Sequence, residues 1–113
     1  IGLVVNPDTD IDEIREFIDL VDIVQFMTVQ PGANGGDFIE NVLDKVALFK
    51  ESYPNVPIAV DGGINLETAP SVKRAGATIF LIGSFFHNST DIKKSLDDIT
   101  TILNSKQWQI NTT

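Results

Sequence analysis

Four short apolar runs, each followed by a stretch with helical spacing, limit what this chain can fold into. The runs cover 1–6, 22–29, 57–65 and 78–82, and the helical patterns cover about 11–20, 38–52, 66–75 and 90–103. Runs of strand length without polar alternation are expected to be buried on both faces of a parallel sheet. The resulting order, βαβαβαβα, has connections long enough for right-handed crossovers. It leaves no helix-only or antiparallel solution.

Local signals bound these elements. Asn6-Pro7-Asp8 ends the first run, because proline cannot continue a central ladder. Thr9 or Asp10 caps an amphipathic helix that turns Ile11, Ile14, Phe17, Ile18 and Val21 to one side. Asp37 and Glu40 have capping-box spacing for the second helix, with Ile39, Val42, Leu43, Val46 and Phe49 inward. Gly76 stands where a helix C-terminus favours glycine.

A length of 113 residues fits one small domain, read as 1–104 followed by a polar tail over 105–113 that includes Trp108. The net charge of −8, with no basic cluster, argues against nucleic acid or an anionic membrane surface as partner. The acids from Asp8 to Asp22 read as a solvated helix face. With no cysteine there is no disulfide, thiolate metal site or thiol nucleophile, and a reducing, cytoplasmic setting fits. No apolar run has the length of a membrane span, and the start carries no signal-peptide pattern. The chain opens without Met, inside an apolar run, as a fragment of a longer protein would.

The residues suited to a ligand share one address, just after the ends of strands. Asn6, the Gly32, Gly35 and Gly36 loop, Asp61-Gly62-Gly63 and Gly83-Ser84 all follow apolar runs. In parallel α/β folds that end of the sheet carries the active groups, and in barrels the last two loops often hold a phosphate. Glycine amides and the Ser84 hydroxyl can bind a phosphate without a lysine or arginine, which suits an acidic chain. A second reading stays open, in which Asp61-Gly62-Gly63 is only a tight turn with Asp61 capping its own backbone. The glycine-rich loop can likewise be a lid or a plain connection.

Several of these stretches together resemble the C-terminal half of ribulose-phosphate 3-epimerases. The likeness rests on Phe26-Met27-Thr28-Val29-Gln30-Pro31-Gly32, Gly35-Gly36, Phe38 to Leu43, Ile58 to Asn65 and Gly83-Ser84, with Gly2 to Thr9 similar to that family's fifth strand and loop. The resemblance implies half of a TIM (β/α)8 barrel: a (βα)4 α/β unit of parallel strands with outer helices. It further implies epimerisation at carbon 3 of a ketopentose 5-phosphate, with two aspartates and a divalent metal, often zinc. By that resemblance Asp61 is the second aspartate, both catalytic and a metal ligand, and Met27 lines the pocket. Gly32, Gly35, Gly36, Gly62, Gly63, Gly83 and Ser84 then bind the phosphate or form the lid.

The chain departs from the family pattern in three ways. The family's metal-binding histidines and first aspartate belong to its N-terminal half, and His87, the one histidine here, matches none of them. The lid stretch Gly32 to Gly36 is one residue longer than usual, and Asp37 replaces a glutamine. Four strands cannot close a barrel, so the first and fourth are expected to be open apolar edges. The expected cover is either the missing N-terminal half or a second copy, paired first strand to fourth, with the chain inactive alone and the metal not retained. The alternatives are a non-catalytic phosphate-binding or self-associating half-barrel, or a related hexulose-phosphate enzyme.

Overall fold

The fold is that of a computed structural model, which describes residues 2–29, 37–82, 91–103 and 109–112. Its sheet contains β1 (Gly2–Val5), β2 (Ile23–Met27), β3 (Ile58–Asp61), β4 (Ile79–Ile82) and β5 (Gln109–Thr112). All neighbours are parallel and the spatial order is the chain order, β1-β2-β3-β4-β5. When every right-handed crossover steps in the same direction, the connecting helices all fall on one face. The core cluster confirms this. Its strand residues, Val5, Val24, Phe26, Ile58, Val60, Phe80 and Ile82, belong to one side of the pleat.

That arrangement corrects the expectation of strands buried on both faces. On the side away from the helices Val4 is 53% exposed, and Gln25, Met27, Asp61, Ile79 and Leu81 are half-buried. Only Ala59 is buried there among the described residues. The apolar runs were long enough to serve a sheet covered twice, but a singly wound sheet has helices for only one cover.

Over the core face lie α1 (Val42–Ser52), α2 (Ala69–Ala75) and α3 (Ile92–Leu103). Phe49 of α1 is fully buried, meets Phe26 edge to face with ring centroids 5.6 Å apart, and lies 5.0 Å from the ring of Tyr53. Val42, Leu43 and Val46 are buried with it as expected. The helix begins at Val42, later than 38, and its N-cap Asn41 makes no side-chain bond. The Ile39 N–H is drawn away to the Thr28 carbonyl at 2.6 Å, so the chain through 39 is anchored to the end of β2. Gly76 closes α2 at φ 117°, where an added Cβ would also stand 2.8 Å from Lys50 Cγ.

Two further elements differ from expectation. Residues Ile11–Leu20 form a 3-10 helix, bounded by i to i+3 bonds from Glu13 N–H to Asp10 O at 3.0 Å and from Val21 N–H to Ile18 O at 3.4 Å. Asp10 caps it by accepting the Asp12 N–H at 3.0 Å. Ile14 is buried and Ile11, Ile18 and Val21 pack against the core, but Phe17 is 49% exposed. This helix flanks the edge strand β1, and no further strand and helix lie beyond it among the described residues to cover Phe17. Lys45 of α1 fastens the loop before it, donating to the carbonyls of Pro7 at 2.6 Å and Thr9 at 2.8 Å.

The second difference is β5, which arises from the segment read as a polar tail and pairs along β4 from Ile79↔Gln109 to Ile82↔Thr112. A second copy paired first strand to fourth would therefore meet β5 instead of β4. Trp108 lies outside the described residues.

Phe49→Ala removes the largest side chain that α1 buries, and should cost about 3–5 kcal/mol. Urea unfolding followed by far-ultraviolet circular dichroism measures the loss. A cost below about 1 kcal/mol would contradict the placement of Phe49 at the centre of the core.

Candidate functional site

Asp61 is the last residue of β3, and the pleat decides where its side chain goes. Val60 before it is fully buried under the helices, so Asp61 stands on the opposite, uncovered face. Its register partners are Met27 on β2 and Leu81 on β4. A carboxylate between a methionine and a leucine loses part of its water, and this burial pushes the Asp61 carboxyl above its ordinary value. No lysine or arginine forms an ion pair with it among the described residues. The contact that relieves it is an amide: Gln25 Nε2 donates to Asp61 Oδ2 at 3.3 Å and lies 3.5 Å from Met27 Sδ.

After Asp61 the backbone turns sharply. Gly62 has φ 121°, and a Cβ there would stand 2.7 Å from Val29 Cγ2, so only glycine fits. Gly63 follows at φ 70°. Thr28, fully buried, holds this turn to the end of β2: its N–H donates to the Asp61 carbonyl at 2.9 Å, and its hydroxyl bonds the same oxygen at 3.1 Å and the Gly62 carbonyl. The single hydroxyl hydrogen is shared between these two carbonyl oxygens.

Three amides beyond the turn, those of Asn65, Glu67 and Thr68, are already engaged. Asn65 Oδ1 accepts from Glu67 N–H at 2.8 Å and Thr68 N–H at 3.0 Å, while Thr68 Oγ1 accepts from Asn65 N–H at 2.9 Å. This reciprocal cap starts the turn that runs into α2, so α2 begins at Ala69, with Pro70 in its first turn, instead of at 66.

The structure thus brings Asp61, Met27, Gly62 and Gly63 together at one end of the sheet. Asn6, also at a strand end, is exposed in a turn closed by Thr9, whose N–H reaches the Asn6 carbonyl at 2.9 Å. Gly32, Gly35, Gly36, Gly83, Ser84 and His87 lie outside the described residues. A groove of about 350 Å³ lined by Asp10, Arg15, Lys45 and Leu48 lies between the 3-10 helix and α1 and does not include Asp61. Among the described residues no three His, Cys, Asp or Glu side chains come together as metal ligands. With Asp61 as the one acid at this place, the described residues do not make a divalent-cation site.

Sequence reasoning missed Thr28 and Gln25. The signal for Gln25 was a single polar residue in Ile23-Val24-Gln25-Phe26-Met27, on the same side of the pleat as Met27. Thr28 gave none, because threonine is an ordinary strand residue and its partners are 33 and 34 residues away in sequence.

Comparison with known proteins gives one consistent match. Residues 1–87 fit the ribulose-phosphate 3 epimerase family. The chain is 40% identical over 103 residues to the ribulose-phosphate 3-epimerase of Bacillus subtilis (strain 168), covering 87% of this chain and 48% of the relative. It is 33% identical over 114 residues to that of Buchnera aphidicola subsp. Baizongia pistaciae, covering 95% and 50%, and 33% identical over 102 residues to that of Escherichia coli K12, covering 87% and 45%. The chain therefore spans about half the length of the curated relatives it matches.

The raised Asp61 pKa fixes the sign of a pH effect. The folded chain holds this proton to higher pH than the unfolded chain does, so stability falls as pH rises from 3.8 through the raised value. Asp61→Asn removes that ionisation. Melting temperature measured against pH should show the variant gaining on wild type from acid to neutral pH, and a gap that runs the other way would contradict the burial of this carboxylate.

Proposed function

The chain belongs to the ribulose-phosphate 3 epimerase family, and on that footing we propose that it contributes Asp61 to the inversion of carbon 3 of a ketopentose 5-phosphate. The observation that carries the reading is the position of Asp61, a partly desolvated carboxylate on the uncovered face at the carboxyl end of β3. In a (β/α)8 barrel that end carries the active groups.

Inversion next to a carbonyl needs two groups on opposite faces of the sugar. One base takes the carbon 3 proton, the electron pair forms an enediolate, and an acid returns a proton from the other side. Asp61 is suited to one of these roles, since burial keeps its pKa closer to the pH at which a proton can both arrive and leave. Asp61 would also be one ligand of a divalent cation such as zinc, which would stabilise the developing oxyanion when bound; the second acid and the remaining ligands would come from outside the described residues, and no step here passes through a metal. Met27 lines the sugar side beside Asp61. Gly62 and Gly63, with Gly32, Gly35, Gly36, Gly83 and Ser84, bind the phosphate and shape the lid. The setting is cytoplasmic, and among the described residues no helix is long and apolar enough to cross a membrane.

With one of two proton-transfer groups, the chain alone should turn over little or no substrate. Its partner in the reading is an N-terminal half barrel, because the relatives are about twice its length and a singly wound sheet closes only when a matching set of strands reaches both of its edges.

The test mixes the chain with a separately purified first half of the Bacillus subtilis relative and D-ribulose 5-phosphate in deuterium oxide. Proton magnetic resonance then follows loss of the carbon 3 proton. Exchange should depend on both halves and fall by about 100-fold or more in Asp61→Asn. Exchange unchanged by that substitution would overturn the reading, and phosphate-dependent binding without exchange in any mixture would favour an inert phosphate-binding half-barrel.

A further inference from the structure

Gln25 is the one polar side chain besides Asp61 on the uncovered face of β1–β4 among the described residues. Gln25 lies one register step before Met27 on β2, and its own register partner on β3 is Ala59. Alanine is short, and the glutamine side chain leans along the sheet toward Asp61, the register partner of Met27. It arrives with Nε2 at 3.3 Å from Oδ2 and 3.5 Å from Met27 Sδ. The neighbours on this face, Val4, Ile23, Ile79 and Leu81, offer no hydrogen-bonding group. No described residue donates to Asp61 Oδ1.

We infer that Gln25 is a positioning residue for Asp61, holding Oδ2 with its amide so that Oδ1 is the oxygen that faces the sugar and exchanges the proton. The two oxygens of a free carboxylate are equivalent, and rotation about the Cβ–Cγ bond interchanges them. An amide N–H on one of them removes that equivalence, since the bonded oxygen is kept as an acceptor and a proton is directed to the other. The base is then already oriented when substrate arrives, and less of the barrier is spent on turning it. The inference rests on the reading of Asp61 as a proton-transfer group.

Two measurements test it. In proton–nitrogen spectra of the full chain, the Gln25 side-chain amide should shift on Asp61→Ala, while the backbone amides of Val46 and Val72 in the core stay in place. In the two-half exchange assay, Gln25→Met should lower the turnover number about tenfold with little change in KM, as loss of a hydrogen bond to a charged group does. Gln25→Glu, of the same shape but with no donor, should do at least as much harm. A purely space-filling glutamine would leave Gln25→Met, of similar size and without charge, near wild type. A Gln25 amide that ignores Asp61→Ala overturns the inference, as does exchange that Asp61→Asn abolishes but both Gln25 variants leave intact. Absence of exchange with the wild-type chain overturns the reading of Asp61 instead, so the two failures are distinct.

Discussion

The sheet is wound in one direction only, and the rest of the structure follows from that constraint. Parallel strands laid down in chain order, joined by right-handed crossovers, send every helix to the same face. The helix-side residues of all the central strands then fuse into one core around Phe26, Phe49 and Phe80. The opposite face is left half-open, and a carboxylate is tolerated there. Had the strand order reversed once, as in a doubly wound sheet, helices would cover both faces and Asp61 would need another outlet.

On that open face Asp61 and the turn after it are kept in place by bonds between strand ends. Thr28 ties the turn after β3 to the end of β2, Gly62 lets the backbone pass close beneath Val29, and Gln25 meets the carboxylate from the neighbouring strand. Each contact joins residues more than thirty positions apart in sequence, on two adjacent parallel strands. The site is therefore as rigid as the β2/β3 pairing. Asp61 itself gains little from its surroundings: it is partly dehydrated, with an amide as its described side-chain partner. A folded chain that keeps such a group at some cost in stability has the pattern expected of a site retained for chemistry.

Much of this was legible because strand and helix periods differ so clearly. The runs containing Val24, Val60 and Phe80 gave the strands, Gly76 gave the end of α2, and the Asp61-Gly62-Gly63 stretch gave the turn at the sheet end. The family likeness supplied the barrel. What could not be read was whatever depends on how far the sheet extends. Phe17 is exposed because β1 is an edge, and the strands are covered once because the sheet is wound once. Gln109–Thr112 pairs with β4 although its composition is that of a tail. The late start of α1 and the role of Thr28 have a similar origin, since the Ile39 N–H bonds the Thr28 carbonyl and Thr28 bonds the Asp61 carbonyl, contacts between backbone groups distant in sequence.

The central proposal is that a phosphorylated sugar binds on the uncovered face beside Asp61. Addition of D-ribulose 5-phosphate to the isotopically labelled full chain, followed by backbone and side-chain chemical shifts, addresses it directly. The account predicts shifts concentrated at Gln25, Met27, Asp61 and Gly62, with Phe49 and Val72 under the helices unmoved. Shifts centred on Asp10, Arg15 and Lys45, in the groove beside the 3-10 helix, would contradict it.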